Sequence, residues 1–586
     1  MKKFYSLFVV CCMVFAACKP EGPLNPSEPE EPQPQDTTIQ PPVQKTEWEI
    51  ADSAYTVADY TVPSHTALKV AITACAAKPT EANLEILRQR IQELVPKTEP
   101  YCMVATINGD PASQMGFCWF TNEGITDGEV QLVAKADATH EDFNGSVLTF
   151  PATPTTTKGL RYTGKARYIV NASGISAGER YKYVSHKALA ENLTPGTEYS
   201  WRVGYDGHWS EIGHFRTKDA DQGEFSFIVM SDSHIENPTY IEEARRCALA
   251  AVKTVPEARF CCFPGDFVED GDANNSEWEW ERWFEESLKP VIMHMPMVPT
   301  DGNHDDSPNI NYTYHFNTNN DFNINYTNKP QFEGITYSFV YGDALFYVFS
   351  MQDFWRETHS YIDWTSVYLT DHVGQWFRDI TRENPDVKYR ISLAHFNLFS
   401  GSDHSTDKEP PVFRNCMLPV MKACEIDVAL QGHDHTYEVI GPVNPDDCTP
   451  ILDAISDREE VGGGTNKNMT GYKGGTYRTD DGTFYFIGAT CGHKRYYPHS
   501  RDRMERDYTD DPKVLQDDNH HNVKNYFDLF TGMFGQPEAP CFTKITVKED
   551  CLEFNSYTAD DDQGNATLLN SMRVVRTKEH GVPLLD

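Results

Sequence analysis

Basic residues are scarce in this chain. Its 586 residues include 51 Lys and Arg against 87 Asp and Glu, a formal net charge of −36. A surface of that sign repels phosphate backbones and anionic lipid, which excludes a nucleic-acid-coating protein and a membrane binder held by charge. A solvated acidic surface is the plain consequence; carboxylates that gather metal ions locally are the second. CxxC pairs are absent too. Setting aside Cys11, Cys12 and Cys18 leaves twelve cysteines, none at zinc-ribbon spacing. Adjacent Cys261 and Cys262 lie in an apolar run and read as buried thiols, and no disulfide pairing follows from spacing. Gly462-Gly463-Gly464-Thr465 lacks the following Lys of a phosphate-binding loop. Asp560-Asp561-Asp562 lacks the alternation of a calcium loop and reads as a charged hairpin turn. His520-His521, beside Asp517 and Asp518, reads as a solvated loop. Apolar residues at 39% and aromatics at 12% still supply buried cores. At about 150 residues per domain the length predicts three or four domains.

Lys2 and Lys3 precede an apolar run, Phe4 to Phe15, that is too short to span a bilayer. The run ends Phe15-Ala16-Ala17-Cys18, which resembles a bacterial lipobox. The resemblance implies a lipoprotein signal peptide over residues 1–18, with Cys18 lipidated as the mature N-terminus. Residues 19–44 hold eight prolines and five acidic residues with almost nothing large and apolar. Such a stretch buries too little surface to offset its ordering entropy, so it is expected to be a disordered Pro/Glu-rich tether. The expected location is outside the cytoplasm, anchored to the bacterial cell envelope through the N-terminal lipid alone. Lys19 stands where an aspartate is associated with inner-membrane retention, which favours the outer membrane and leaves its face open. No protein partner is expected.

Residues 45–97 read as a helical accessory segment. Leu84, Leu87, Ile91 and Leu94 recur at helical spacing, and Thr80 after Pro79 is placed to cap. From 98 to 218 the period falls to two: Tyr199, Trp201 and Val203 alternate with Ser200, Arg202 and Gly204, after the turn Leu193-Thr194-Pro195-Gly196-Thr197. Short strands with such turns predict a β-sandwich, and the run from Leu193 to Gly204 looks like the end of a fibronectin type III-like domain. From 222 to 580 apolar strands alternate with helices. Strands are expected at 225–230, 259–264, 294–299, 344–350, 388–394 and 426–431, with helices at 239–254 and 371–382. A return to strand at 541–557 closes the same domain. The overall fold class is multi-domain, with a layered α/β domain after the β-sandwich.

The chemistry stands at the ends of these strands. The groups are Ser231-Asp232-Ser233-His234, Gly265-Asp266 through Glu269-Asp270-Gly271, Asp301-Gly302-Asn303-His304-Asp305, His395 after Leu393-Ala394, and Gly432-His433-Asp434-His435. One Asp-x-His, or one histidine at a strand end, is ordinarily a satisfied polar residue. Five groups in succession, each after a buried strand, put carboxylates and imidazoles on one rim of a sheet, where α/β folds build their sites. This donor set suits divalent Mn, Fe or Zn, and a pair of ions needs a carboxylate to share. Glycines beside Asp266, Asn303 and His433 let backbone come close to the metals.

Asp-x-His, GDxxxxG, GNHD, a lone His and GHxH, in this order, are similar to the calcineurin-like metallophosphoesterase superfamily. The resemblance implies a four-layer β-sandwich flanked by helices and a pair of divalent metal ions. It makes Asp232, His234 and His435 ligands of one metal, Asn303, His395 and His433 ligands of the other, and Asp266 the bridge. His304 would stabilise the phosphoryl oxygens or protonate the leaving group, with Asp305 as its orienting partner. The implied reaction is hydrolysis of a phosphate ester, a metal-held hydroxide attacking in line.

A β-sandwich before the catalytic domain and a terminal strand pair look like purple acid phosphatases. The motifs depart from that branch: His234 stands where it has glycine, and Glu269 where it has the metal-binding tyrosine. A purple-phosphatase-like architecture around a non-purple site is therefore expected. Protein Ser/Thr phosphatases match less well, because no arginine follows in the second group. Monoester and diester substrates stay open. The groove walls are sought in Phe396 to His404, in 455–480 and in Cys491-Gly492-His493-Lys494-Arg495, the last reading equally as a solvated loop. The expected substrate is a small organic phosphate ester. Alternatives are a nucleotidase or nucleotide-sugar pyrophosphatase, and a non-catalytic surface binding protein on the same fold.

Overall fold

The strands that lead to the five groups, and a sixth that follows them, are short, apolar and buried on both faces, as a sheet covered by further layers requires. In the computed structural model they are β1 (Phe225–Val229), β2 (Cys261–Pro264), β3 (Met297–Thr300), β4 (Tyr389–Leu393), β5 (Val428–Gln431) and β6 (Thr483–Gly488). The structure describes residues 45–55, 60, 62–95, 100–157, 160–161, 180–181, 183–221, 223–269, 277–305, 310–327, 333–351, 367–406, 409–444, 469–498, 530–581 and 583. The expected signal peptide with Cys18, the tether, Gly462 to Thr465, His520-His521 and most of 455–480 lie outside these. Glu47–Asp586 form one compact unit.

β1, β2 and β3 are parallel neighbours in an eleven-stranded sheet, and β4, β5 and β6 are parallel neighbours in a seven-stranded one. The two sheets meet through Phe227, Phe260, Phe346, Leu393, Leu430 and Phe486. Helix Pro238–Thr254 covers the outer face of the first sheet with Ala244, Ala248 and Ala251. Asn237 caps it, its side chain accepting from the N–H groups of Thr239 and Tyr240. Helices Gly374–Glu383 and Glu409–Ala423 cover the second sheet through Trp376, Phe377, Met417 and Val420. Two sheets between two helical layers result, as the motifs implied.

The N-terminal domain departs from expectation in one respect. It is not a sandwich closed on itself. Strands 101–106, 115–122, 183–190 and 153–156 continue the eleven-stranded sheet, with Thr106 beside Met297 in parallel register. A second sheet, built on Glu129–Val133 and Glu198–Tyr205, packs on them through Phe117, Trp119, Val130, Leu132 and Trp201. At the other end of the large sheet Cys541–Val547 pairs antiparallel with β1 and leads into strands 552–559 and 566–575. Asp560 to Asp562 sit in the connecting turn, where Asp561 accepts from the N–H groups of Gln563 and Asn565. Cys261 and Cys262 are buried free thiols.

Before the sandwich stand three helices, Glu47–Ala54, Val62–Ala77 and Glu81–Gln92. They share a small core of Ala51, Leu68, Ile72, Cys75 and Leu87. Thr80 caps the third as the sequence predicts, its Oγ1 accepting from Asn83 N at 3.3 Å.

His186 gives the N-terminal domain an acid limit. Its ring stacks on Trp119, centroids 5.3 Å apart, and its Nε2 meets Thr121 Oγ1 at 2.8 Å. Burial pushes its pKa down to about 4. The unfolded chain therefore takes up a proton first, and this residue's contribution is whole above pH 6.5 and lost as pH falls from 6.5 towards 4. The expected loss is up to about 3 kcal/mol. Denaturant unfolding at pH 7.5 and 4.5 checks it: His186→Phe, which keeps an aromatic ring there, should lose less stability on acidification than the wild type.

Candidate metal centre

β1, β2 and β5 hand over to loops held in a strained conformation. Asp232, His234, Asp266, His433 and His435 all have positive φ, between 46° and 71°. Five non-glycine residues in the left-handed region, at order 1–3 kcal/mol each, mark a site where backbone placement outranks local comfort. Gly302 shows how tight that placement is, since a Cβ there would stand 2.1 Å from Asp266 Oδ1 and 2.2 Å from its N.

The expected ligands converge. Atoms of Asp232, His234, Asp266 and His435 lie within 4.8 Å of one another, as do those of Asp266, His395 and His433. Asp266 belongs to both groups: its Oδ2 is 3.2 Å from His234 Nε2 and 3.3 Å from His395 Nε2. His234 Nε2 and His435 Nε2 are 2.9 Å apart, and Asp232 Oδ1 is 3.3 Å from the latter. On the other side Asn303 Oδ1 stands 2.9 Å, and His433 Nδ1 3.2 Å, from His395 Nε2.

Outer partners decide which nitrogen keeps its lone pair. Pro264 O takes the N–H of His395 Nδ1 at 2.8 Å, and Glu269 Oε2 that of His234 Nδ1 at 2.7 Å. A carbonyl or carboxylate can only accept, so in each neutral ring Nε2 is the bare atom, turned inward. Burial alone would lower both histidines. The Asp266 carboxylate outweighs it, helped by Glu269 at one and Asp232 at the other, and holds them at about 9 and about 10. His435 is carried by burial down to about 4, in spite of Asp232. The centre thus draws positive charge, and its oxygen and imidazole donors suit a divalent cation.

Asp305 lies elsewhere than expected. It does not orient His304. Its Oδ2 accepts from Gly302 N at 2.7 Å and Asp266 N at 2.8 Å, and its Oδ1 from Phe267 N at 2.8 Å and Val268 N at 3.3 Å. Burial and the facing Asp266 carboxylate push its pKa up. The residue ties the third loop to the second. His304 is oriented instead by the Glu269 carbonyl, which accepts from its Nδ1 at 2.6 Å.

Sequence reasoning missed Glu269 as more than a replaced tyrosine. It holds His234, and its burial is offset by hydrogen bonding to that ring, so its pKa is lowered to about 2. Lys494, in a stretch that reads equally as a solvated loop, turns inward: its Nζ is 3.2 Å from both Glu269 oxygens and 3.4 Å from His304 Nε2. Two further rings cover ligands: Tyr496, which the sequence did not point to, stacks on His435 at 4.3 Å, and His404, at the end of an expected groove wall, on His433 at 4.0 Å. The segments 396–404 and 491–496 are therefore walls of the centre. Its open side is where His304, Lys494 and Glu269 lie, 25%, 21% and 18% exposed against 1% or less for His234 and Asp266.

A two-sheet α/β fold thus carries, at its strand ends, a buried cluster of carboxylate and imidazole donors that could hold metal ions. Residues 225–437 match the calcineurin-like phosphoesterase family model, and residues 100–217 the model for the purple acid phosphatase N-terminal domain. Over these two stretches the chain resembles a calcineurin-like phosphoesterase preceded by a purple acid phosphatase N-terminal domain. An uncharacterized protein of Mycobacterium tuberculosis is 24% identical over 317 residues, 48% of this chain and 58% of that one. Acid phosphatase type 7 of Danio rerio is 23% identical over 301 residues, 48% of this chain and 62% of its own. The chain therefore spans about three fifths of these relatives. The purple acid phosphatase PPD1 of yellow lupin (Lupinus luteus) seeds shares the fold, with a TM-score of 0.53 and 14% identity over 82% of this chain and 75% of that one.

Proposed function

We infer that the protein hydrolyses phosphate esters at a pair of divalent cations, with Mn, Fe and Zn the fitting choices. One observation carries the reading: Asp266 Oδ2 lies between two groups of inward-facing donors, 3.2 Å from His234 Nε2 and 3.3 Å from His395 Nε2. Asp232, His234 and His435 would hold one cation and Asn303, His395 and His433 the other, with Asp266 shared. Two cations so bound supply the positive charge that a transferring phosphoryl group needs and make water a nucleophile at neutral pH. The remaining work falls to the protein. Asp305 and Glu269 fix the ligands, while buried Phe396 and the ring of Tyr496 keep bulk water from the ligand histidines. His304, its Nδ1 N–H held by the Glu269 carbonyl, turns Nε2 to the open side; there it would take a proton from the attacking water or, once protonated, give one to the leaving-group oxygen.

Glu269 stands 2.7 Å from His234 Nδ1 in the place of a metal-binding tyrosine. The iron-loaded protein should accordingly lack a strong tyrosinate-to-iron absorption band. A visible band removed by Tyr496→Phe would contradict this.

The substrate is a small phosphate ester, reached outside the cytoplasm by a lipid-anchored protein. Lys2, Lys3, the apolar run and Cys18 support that location. No helix among the described residues is long and apolar enough to cross a membrane. Assay of the Mn²⁺-loaded protein on p-nitrophenyl phosphate, its bis ester, nucleotides and a nucleotide sugar tests the function. Turnover lost in His304→Ala supports it; nucleotide preference would favour a nucleotidase; no turnover of any ester under any metal would leave a binding protein.

A further inference from the structure

We propose that Lys494 is the specificity-determining residue of this centre, its ammonium selecting dianionic phosphomonoesters over monoanionic diesters. The proposal rests on the phosphoesterase reading of the site.

The segment that delivers Lys494 is laced to the loop that carries Asp232 and His234. After β6, Ala489 turns in the left-handed region at φ 64° and donates its N–H to Thr436 O at 3.1 Å. Thr490 Oγ1 donates to Asp232 O at 2.7 Å, and Cys491 N to Ser231 O at 2.8 Å. Gly492 lies so close that a Cβ would stand 2.4 Å from Ser233 O. The flanking cations are committed elsewhere. His493 Nδ1 and Arg495 Nη2 both engage Glu243 of helix Pro238–Thr254, at 2.9 Å and 2.6 Å. Lys494, between them, turns its ammonium to the centre.

Its partners there do not use it up. Both contacts to Glu269 are 3.2 Å, longer than the 2.7–2.9 Å of a fully engaged ion pair, and Glu269 Oε2 already takes the shorter bond from His234. The third contact is to His304 Nε2, a bare nitrogen because Nδ1 donates to Glu269 O. Lys494 lies on the open side, with the Tyr496 ring centroid 6.0 Å from Nζ. An ester arriving from solvent meets this ammonium beside His304. A phosphomonoester is a dianion above a second pKa near 6, whereas a diester has one charge. A fixed cation beyond the metal donors rewards the extra charge, and a neutral side chain of like length does not.

Lys494→Met and Lys494→Arg in the full chain, loaded with Mn²⁺, test this beside the wild type. The readouts are kcat/KM on p-nitrophenyl phosphate and bis(p-nitrophenyl) phosphate, metal content, and calorimetric binding of inorganic phosphate. Lys494→Met should lower monoester kcat/KM about tenfold or more and weaken phosphate to a similar degree, with the diester within about threefold. Lys494→Arg should keep most of the monoester rate, and metal content should not change. Equal losses on both esters, no loss on either, or metal lost from Lys494→Met would overturn the proposal. Wild-type protein that turns over neither ester would refute the phosphoesterase reading itself. Phosphate binding then decides for Lys494 alone: weaker binding in Lys494→Met upholds its anion role, and unchanged binding overturns it.

Discussion

Replacing Asp266 with alanine is expected to lower turnover of p-nitrophenyl phosphate by at least about 1,000-fold and to strip metal from the protein. The reason is the position of one oxygen. Asp266 Oδ2 reaches His234 Nε2 and His395 Nε2, which belong to different donor groups, so one substitution opens both. The same carboxylate holds up the pKa of both histidines against burial. Asp266→Asn, which keeps the shape and loses the charge, should fall nearly as far. His304→Ala is the informative contrast. Its side chain donates to the Glu269 carbonyl and lies on the open side, so its loss should slow turnover by about 100-fold while metal stays bound. Metal content and single-substrate kinetics on the three variants check the ordering. An Asp266→Ala protein with its full metal complement would contradict it.

Asp305→Ala should be the costliest single change to stability in the region. The carboxylate is fully buried and accepts from four backbone N–H groups, those of Gly302, Asp266, Phe267 and Val268. Removing it leaves those donors in the interior without an acceptor, at a cost of about 3–5 kcal/mol. The loss should also weaken metal binding, because the Asp266 loop is one of the two that Asp305 joins. Denaturant unfolding and metal titration of Asp305→Ala and Asp305→Asn measure both effects. Were the variants as stable as the wild type and slowed only with poor leaving groups, Asp305 would act on His304 after all.

Asp305 also shows what the sequence could and could not carry. That an acidic residue follows Asn303-His304 is legible; that its oxygens face the peptide N–H groups of Asp266, Phe267 and Val268, 37 to 39 residues back, is not, because backbone donors leave no mark in side-chain identity. The same holds for the left-handed conformations of Asp232, Asp266 and His435, which tertiary contacts impose against local preference. The strand ends were legible for a simple reason: buried runs such as Phe225–Val229 and Val428–Gln431 are apolar, and the first polar residues after them stand out. The merging of the N-terminal sandwich with the large sheet was not, since Thr106 and Met297 meet across 190 residues and neither strand's alternation names its neighbour. The stretch His493-Lys494-Arg495 reads equally as a solvated loop and as a substrate wall; what separates Lys494 from its flanks is Glu243, some 250 residues earlier, which engages His493 and Arg495.

Anomalous diffraction from crystals of the Mn²⁺-loaded protein, with data on both sides of the manganese edge, tests the whole account at its root. It predicts two peaks about 3.5–4 Å apart, one among Asp232, His234 and His435, the other among Asn303, His395 and His433, with Asp266 touching both. A single peak, or manganese bound only away from Asp266, would contradict it.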